Sequence, residues 1–378
     1  MSHVWLFALV GAIFVGARDA RSEEPAIGLA FGQATVDSSM NALFDRKEGW
    51  IGADAAYSVD LNPQRRIWLF DDTWVGRVRD GKRTDATIVN NSIGLQDTGG
   101  GGSKIRFVVG AGTGKKPAAV IAPADGHGWF WLHDGVAANK QLFVFFMQIE
   151  KTAGGGAFGF RQIGESLGII ANPNDDPTAW RCEQLKLPCT IFSPKRQLTF
   201  GTAAARTKDH LYIYGTDEDI NPSGHDRYLI VARVPLADIK DFSAWRFFDG
   251  SDWSADFRTS HRMVRGVASE CSVSFLPDVK QYVLVYTDGG LSDRILARTA
   301  REPIGPWSAA TTIYRCPEQG RDKKIFFYAA KAHPSIASGD ELVVSYVANS
   351  FDFWQVASDA SLYIPRFIRV SYRDASHP

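Results

Sequence analysis

Three acidic residues of this chain stand where acid/base chemistry would place them. Asp54 lies at the entry of one apparent strand, Ala55–Leu61, and Asp72 closes another, Arg66–Phe70, with Asp71 beside it. The turn signal Asn62-Pro63 joins the two. An antiparallel hairpin flanked this way brings Asp54 and Asp72 to the same end of a sheet. Glu270 sits in Ala268-Ser269-Glu270-Cys271-Ser272-Val273, among residues typical of a buried strand. A lone carboxylate there is costly unless it is paired or faces a wet cavity. Carboxylates gathered at one end of several sheets suit hydrolysis of a glycosidic bond. One protonates the leaving oxygen, and the other activates water or attacks the sugar. The plainer readings are a turn cap for Asp71-Asp72-Thr73 and an ion pair from Arg262 or Arg265 for Glu270.

A second rank of residues would bind rather than react. His333, in Ala330-Lys331-Ala332-His333-Pro334, lies at a strand end, with Asn349 and Asp352 in the next turn. It is either a structural His–Pro corner or a ligand in a central channel. A channel metal such as calcium there is the alternative to a site without cofactors. Asp71, Trp74 and Asn91 complete the substrate-binding candidates. Trp50, Trp68, Trp129, Trp131 and Trp354 would serve as sugar-stacking platforms or as core. Gly164-Glu165-Ser166-Leu167-Gly168 fits the spacing of a nucleophile elbow, but a short strand and Pro173 follow where that motif needs a helix. A turn between strands is the better reading. Gly110 to Lys115 lacks the spacing of a phosphate loop.

The elements that would position these residues are strands. The 378 residues include 24 Phe, 11 Trp, 11 Tyr and 35 Gly, a usage that favours strands and tight turns over helices. Lys+Arg 42 against Asp+Glu 42 leaves zero net charge, so nothing marks a nucleic-acid partner. Val4 to Val15 is an apolar run of signal-peptide length with Ala20-Arg21-Ser22 as a cleavage site. The expectation is a leader over residues 1–22, a secreted or periplasmic mature protein, and no membrane partner after cleavage. Of Cys182, Cys189, Cys271 and Cys316, the first two would close a short loop as a disulfide. Cys271 reads as a buried thiol.

Strand pairs recur along the chain. Gly128–Trp131 opens a unit leading to Gln141–Ile149, and Leu198–Ala204 precedes Leu211–Tyr214 and Tyr228–Val234. Ala268–Leu276 precedes Gln281–Tyr286, and Phe326–Ala332 precedes Glu341–Tyr346 and Leu362–Tyr372. A period of roughly 60–70 residues is the signature of radial repetition. The expectation is all-β, a five-bladed β-propeller over residues 27–374 in one domain. Ile27–Val36 would close the circle, Thr87–Leu95 would be one strand, and Pro235–Phe242 is the best helical candidate.

Several motifs resemble a secreted five-bladed propeller family of formerly unknown function that includes endo-D-arabinanases. Gly52-Ala53-Asp54-Ala55-Ala56-Tyr57-Ser58 and Ile67-Trp68-Leu69-Phe70-Asp71-Asp72-Thr73 carry the likeness. So do Asn90-Asn91-Ser92, the Glu270 segment, Lys331-Ala332-His333-Pro334, Val344–Ser350 and Tyr363-Ile364-Pro365-Arg366-Phe367. The resemblance implies that Asp54 and Asp72 are the leading catalytic carboxylates, with Glu270 third. It implies a polysaccharide or oligosaccharide substrate. Asp71 departs from the family, which usually has Gly there. A non-catalytic carbohydrate-binding propeller would keep the aromatics without needing opposed acids. A metal-assisted hydrolase would need converging His and Asp ligands.

Overall fold

A computed structural model describes residues 28–99, 104–153, 159–221, 224–336 and 339–375. The expected leader lies outside them. The chain is nearly all-β in a propeller-like arrangement. Five antiparallel sheets of four or more strands follow one another along the sequence. The first is built on Glu48–Asn62 and Arg65–Arg79, followed by Ser92–Asp97 and Lys104–Val108. The second runs from Trp129–Ala138 through Gln141–Lys151 and Phe160–Ile170 to Cys182–Lys186. The third centres on Arg196–Arg206, His210–Asn221 and Gly224–Pro235. The fourth holds Cys271–Leu276, Gln281–Thr287, Arg294–Ala300 and Thr311–Arg315. The fifth joins Ile325–Ala332, Glu341–Ser350 and Pro365–Asp374, and its outer place is taken by Leu29–Val36 from the other end of the chain.

The first long strand of each sheet touches its counterparts before and after, and that of the fifth touches that of the first. The ring is therefore closed. Period-two alternation gives each sheet two apolar faces, and each face is buried against a neighbouring sheet. Ile67 and Leu69 meet Phe130 and Phe146 between the first and second sheets. Phe143 and Phe145 meet Phe200 and Trp245 between the second and third. Tyr214 meets Val273 and Tyr286, and Val285 meets Phe327 and Val344. Trp68, Phe70 and Phe44, from the short helix Ser38–Phe44, pack on Phe367 to complete the circle.

Four of the inner strands break register partway along. The breaks fall between Ala53, Ala55 and Tyr57, between Leu132 and Gly135, between Phe200 and Ala203, and between Tyr328 and Lys331. Ala55, Ala56, Ala329 and Gly201 take positive φ there, of 64°, 60°, 60° and 109°. At Gly201 any Cβ would stand 2.4 Å from the Phe145 ring, so only glycine fits. A bulge re-aims the side chains that follow it. It thereby separates what faces one end of the channel from what faces the other.

Several expectations change. The strands carrying Asp54 and Asp72 run further than expected, and both acids lie mid-strand rather than at strand ends. The Thr87–Leu95 segment is two strands, Lys82–Val89 and Ser92–Asp97, parted at Asn90-Asn91. Gly164–Gly168 is strand interior, not a turn. Pro235–Phe242 holds a 3-10 turn at Leu236–Asp238 and runs into a second at Phe242–Ala244 instead of forming an α-helix. All four cysteines are free. Cys182 packs against the core between the first two sheets, whereas Cys189 belongs to the core between the second and third, so the expected disulfide does not form.

Candidate active site

One mouth of the channel is a cavity of about 420 Å³ whose walls include Asp54, Asp71, Asp72, Glu270, Trp74 and Asn349. These six sequence candidates are brought together. Asp54 Oδ2 accepts hydrogen bonds from Tyr328 Oη at 2.7 Å and Tyr363 Oη at 2.8 Å, while its buried Oδ1 has no partner. Tyr363 approaches closely because position 52 is glycine: a Cβ there would stand 2.4 Å from the Tyr363 carbonyl oxygen. Asn349 Nδ2 donates to Tyr328 Oη at 3.2 Å and so steadies the same group. Asp72 Oδ1 accepts from Trp131 Nε1 at 2.9 Å and Asn90 Nδ2 at 3.1 Å. Asp71, the adjacent residue on the same strand, accepts from the Leu132 backbone N–H. Asp54, Asp71 and Asp72 thus all lean on neutral donors.

That choice sets their protonation. Burial, reinforced by the charges of Asp72 and Glu270, pushes the Asp54 carboxyl up to about 8, against which the two tyrosine bonds work only in part. Burial pushes Asp72 up to about 6, with the Trp131 and Asn90 bonds pulling the other way. Asp71 is held well above the carboxylate range by burial and by the charges of Asp54 and Glu270. Near neutral pH, Asp54 keeps a proton that Asp72 has lost. Because Asp54 Oδ2 already accepts two bonds, that proton belongs on Oδ1.

Glu270 immediately precedes the inner strand of the fourth sheet, and its counter-ion is Lys331 at 2.6 Å. Lys331 is itself buried, with its ammonium 4.2 Å from the Tyr57 ring centroid. The arginines expected to satisfy Glu270 are engaged elsewhere: Arg262 with Asp217 and Asp219, Arg265 with Asp226.

Two candidates fall outside the mouth. Asn91 is fully buried and ties Ile121 and Phe130 through their backbones, which is a structural duty. Its neighbour Asn90 is the residue that touches Asp72. His333 lies beyond the Tyr328–Lys331 bulge and lines a separate cavity at the other end of the channel. Its Nδ1 is 2.7 Å from Ser58 Oγ and its Nε2 is 2.8 Å from Ser345 Oγ, so both ring nitrogens are committed. Among the described residues no group of three or more His, Cys, Asp or Glu is placed to hold a metal ion. Of the tryptophans, Trp50 and Trp68 are core, Trp74 and Trp131 line the mouth, and Trp354 is 77% exposed.

Tyr328, Tyr363, Asn90 and Lys331 had no assigned part in the sequence, and Trp131, expected as a stacking platform or core, instead donates to Asp72. A signal existed for three of them, since Asn90, Lys331 and Tyr363 stand inside the motifs quoted above.

The family model described as "Domain of unknown function (DUF5005)" matches residues 37–372. No curated protein matches the chain. Among solved structures, one from Bacteroides ovatus, described only provisionally as a hydrolase, is 19% identical with a TM-score of 0.70. The match covers 90% of this chain and 93% of that one. An α-L-arabinofuranosidase from Podospora anserina is 11% identical over 93% of this chain and 99% of its own, with a TM-score of 0.46. A GH43 enzyme from Xanthomonas citri is 14% identical over 89% and 93%, with a TM-score of 0.44. The Bacteroides likeness is one of fold.

Proposed function

The chain belongs to the DUF5005 family, and from that premise we propose that it is a secreted five-bladed propeller glycoside hydrolase acting on a polysaccharide, with a D-arabinan as the candidate substrate. One observation carries the proposal: two carboxyls in one cavity, pushed to about 8 and about 6, are poised on opposite sides of neutral pH. Carboxyls divided in this way sort themselves into acid and base.

Asp54 is then the general acid. Its Oδ1 proton passes to the glycosidic oxygen as the bond to the anomeric carbon breaks, and the two tyrosine hydroxyls stabilise the carboxylate left behind. Asp72 is the ionised partner. Its Oδ1 is fixed by Trp131 and Asn90, which leaves Oδ2 to take a proton from water or to bond directly to the anomeric carbon. The first course inverts the anomer and the second retains it. Glu270, oriented by Lys331, adds negative charge beside the developing oxocarbenium ion. The leader over residues 1–22 supplies the export in this reading.

The test is product release from purified polysaccharides, D-arabinans included, by wild type, Asp54→Asn and Asp72→Asn. Oligosaccharides from wild type alone support the glycosidase and both roles. Equal release by both variants removes the aspartate pair. Glycan binding without release by any of the three makes the propeller a binding module.

A further inference from the structure

The mouth carries two features that the acid chemistry does not use. The first is a collar. Among the large hydrophobic side chains left most exposed, Ile88, Phe160, Leu291, Phe351 and Phe353 all line this one cavity, and Trp354 packs on Phe353 with ring centroids 5.7 Å apart. Leu291 is 55% exposed and Phe351 58%, so these are presented surfaces, not core. The second is a missing charge. Among the described residues that line the cavity there are four carboxylates and no Lys, Arg or His. Lys331 faces Glu270 from behind and is spent on it.

The collar and the charge pattern select between glycans. Aromatic and aliphatic walls accept the C–H faces of sugar rings. A uronate, sulfate or phosphate substituent would meet ionised Asp72 with no unpaired cation to receive it, since Lys331 is engaged by Glu270 and Arg227, in the adjoining cavity, by Glu218; like-charge contact in a partly desolvated cavity is costly. We propose that the mouth takes a neutral glycan and excludes anionic ones by charge. This deepens the glycosidase reading and rests on it for the position of the substrate.

The experiment compares binding and product release for matched pairs: linear arabinan against polygalacturonate, and xylan against its glucuronic-acid-substituted form. At low salt, the neutral partner should bind at least about tenfold more tightly. The gap should shrink at high salt, where charge is screened and shape is not. Ile88→Arg, which sets a cation on the exposed rim, should narrow it too. A uronate glycan bound as well as its neutral partner, a gap that salt leaves unchanged, or no binding to either neutral glycan would each overturn the inference. Selective neutral binding without product release supports it while removing the glycosidase reading.

Discussion

Asp54 at the channel mouth and Asp217 on the third sheet are both buried carboxylates held by at least two donors, yet they titrate in opposite directions. Burial works to raise both. At Asp217 it is outweighed by Arg196 at 2.7 Å and Arg262 at 2.7 Å, which hold the carboxyl below its ordinary value. At Asp54 the donors are two phenols and the neighbouring charges are negative, so burial wins and the carboxyl rises to about 8. The partners set the direction of each shift. An arginine fork makes a carboxylate a permanent anion that fastens strands together, whereas neutral donors leave it able to keep and surrender a proton.

The largest effect that would break this comparison is at Asp54 itself. Asp54→Asn should lower kcat/KM by about 10²–10⁴-fold, measured on whichever glycan the wild type cleaves. The same variant should be more stable than wild type at pH 8, by a Tm gain of a few degrees. The sign follows from linkage: the folded state keeps a proton that the unfolded chain releases, so Asp54 costs stability as pH rises from about 4 toward 8. Asp217 runs the other way. Its folded carboxyl is depressed, so its contribution is present above about pH 4 and lost as pH falls through its folded value.

Arg262→Met should therefore lower unfolding free energy by about 1–3 kcal/mol in urea at neutral pH and leave glycan cleavage within about twofold. A loss of activity there would merge the two regions. The pH profile of kcat/KM is the next test. It should be a bell, with an acid limb near 6 where Asp72 ionises and an alkaline limb near 8 where Asp54 loses its proton. Smallest is the effect of Asn90→Arg, which gives Asp72 the kind of partner Asp217 has. The acid limb should move down by about one pH unit, worth about 1.4 kcal/mol, with the alkaline limb moving less.

Much of this site was legible because glycine and aspartate mark backbone and chemistry at once. Gly52 and Asp54 share a strand because one admits Tyr363 and the other receives its hydroxyl. The misreadings have a geometric cause. Asn91 and Asn90 differ by one residue and hence by one face, and nothing in Asn90-Asn91-Ser92 says which face meets Asp72. His333, which the sequence offers as a structural corner or a channel ligand, belongs to one continuous segment with Tyr328. A bulge of alanine at positive φ, invisible in composition, divides that segment between two ends of the channel. Lys331 was hidden for a related reason, since pairing it with Glu270 joins positions 61 residues apart on two sheets. The circular arrangement was easier, because strand alternation and aromatic repetition are local.

The closure of the fifth sheet has a consequence in time. Its outer strand, Leu29–Val36, pairs with Pro365–Asp374, and Ala375 N donates to Gly28 O at 3.1 Å. During synthesis that first strand emerges well before its partner exists, and it waits with an open edge while four other sheets assemble. The strand Pro365–Asp374 therefore acts as a latch, and removing it should leave folded sheets in a ring that cannot shut.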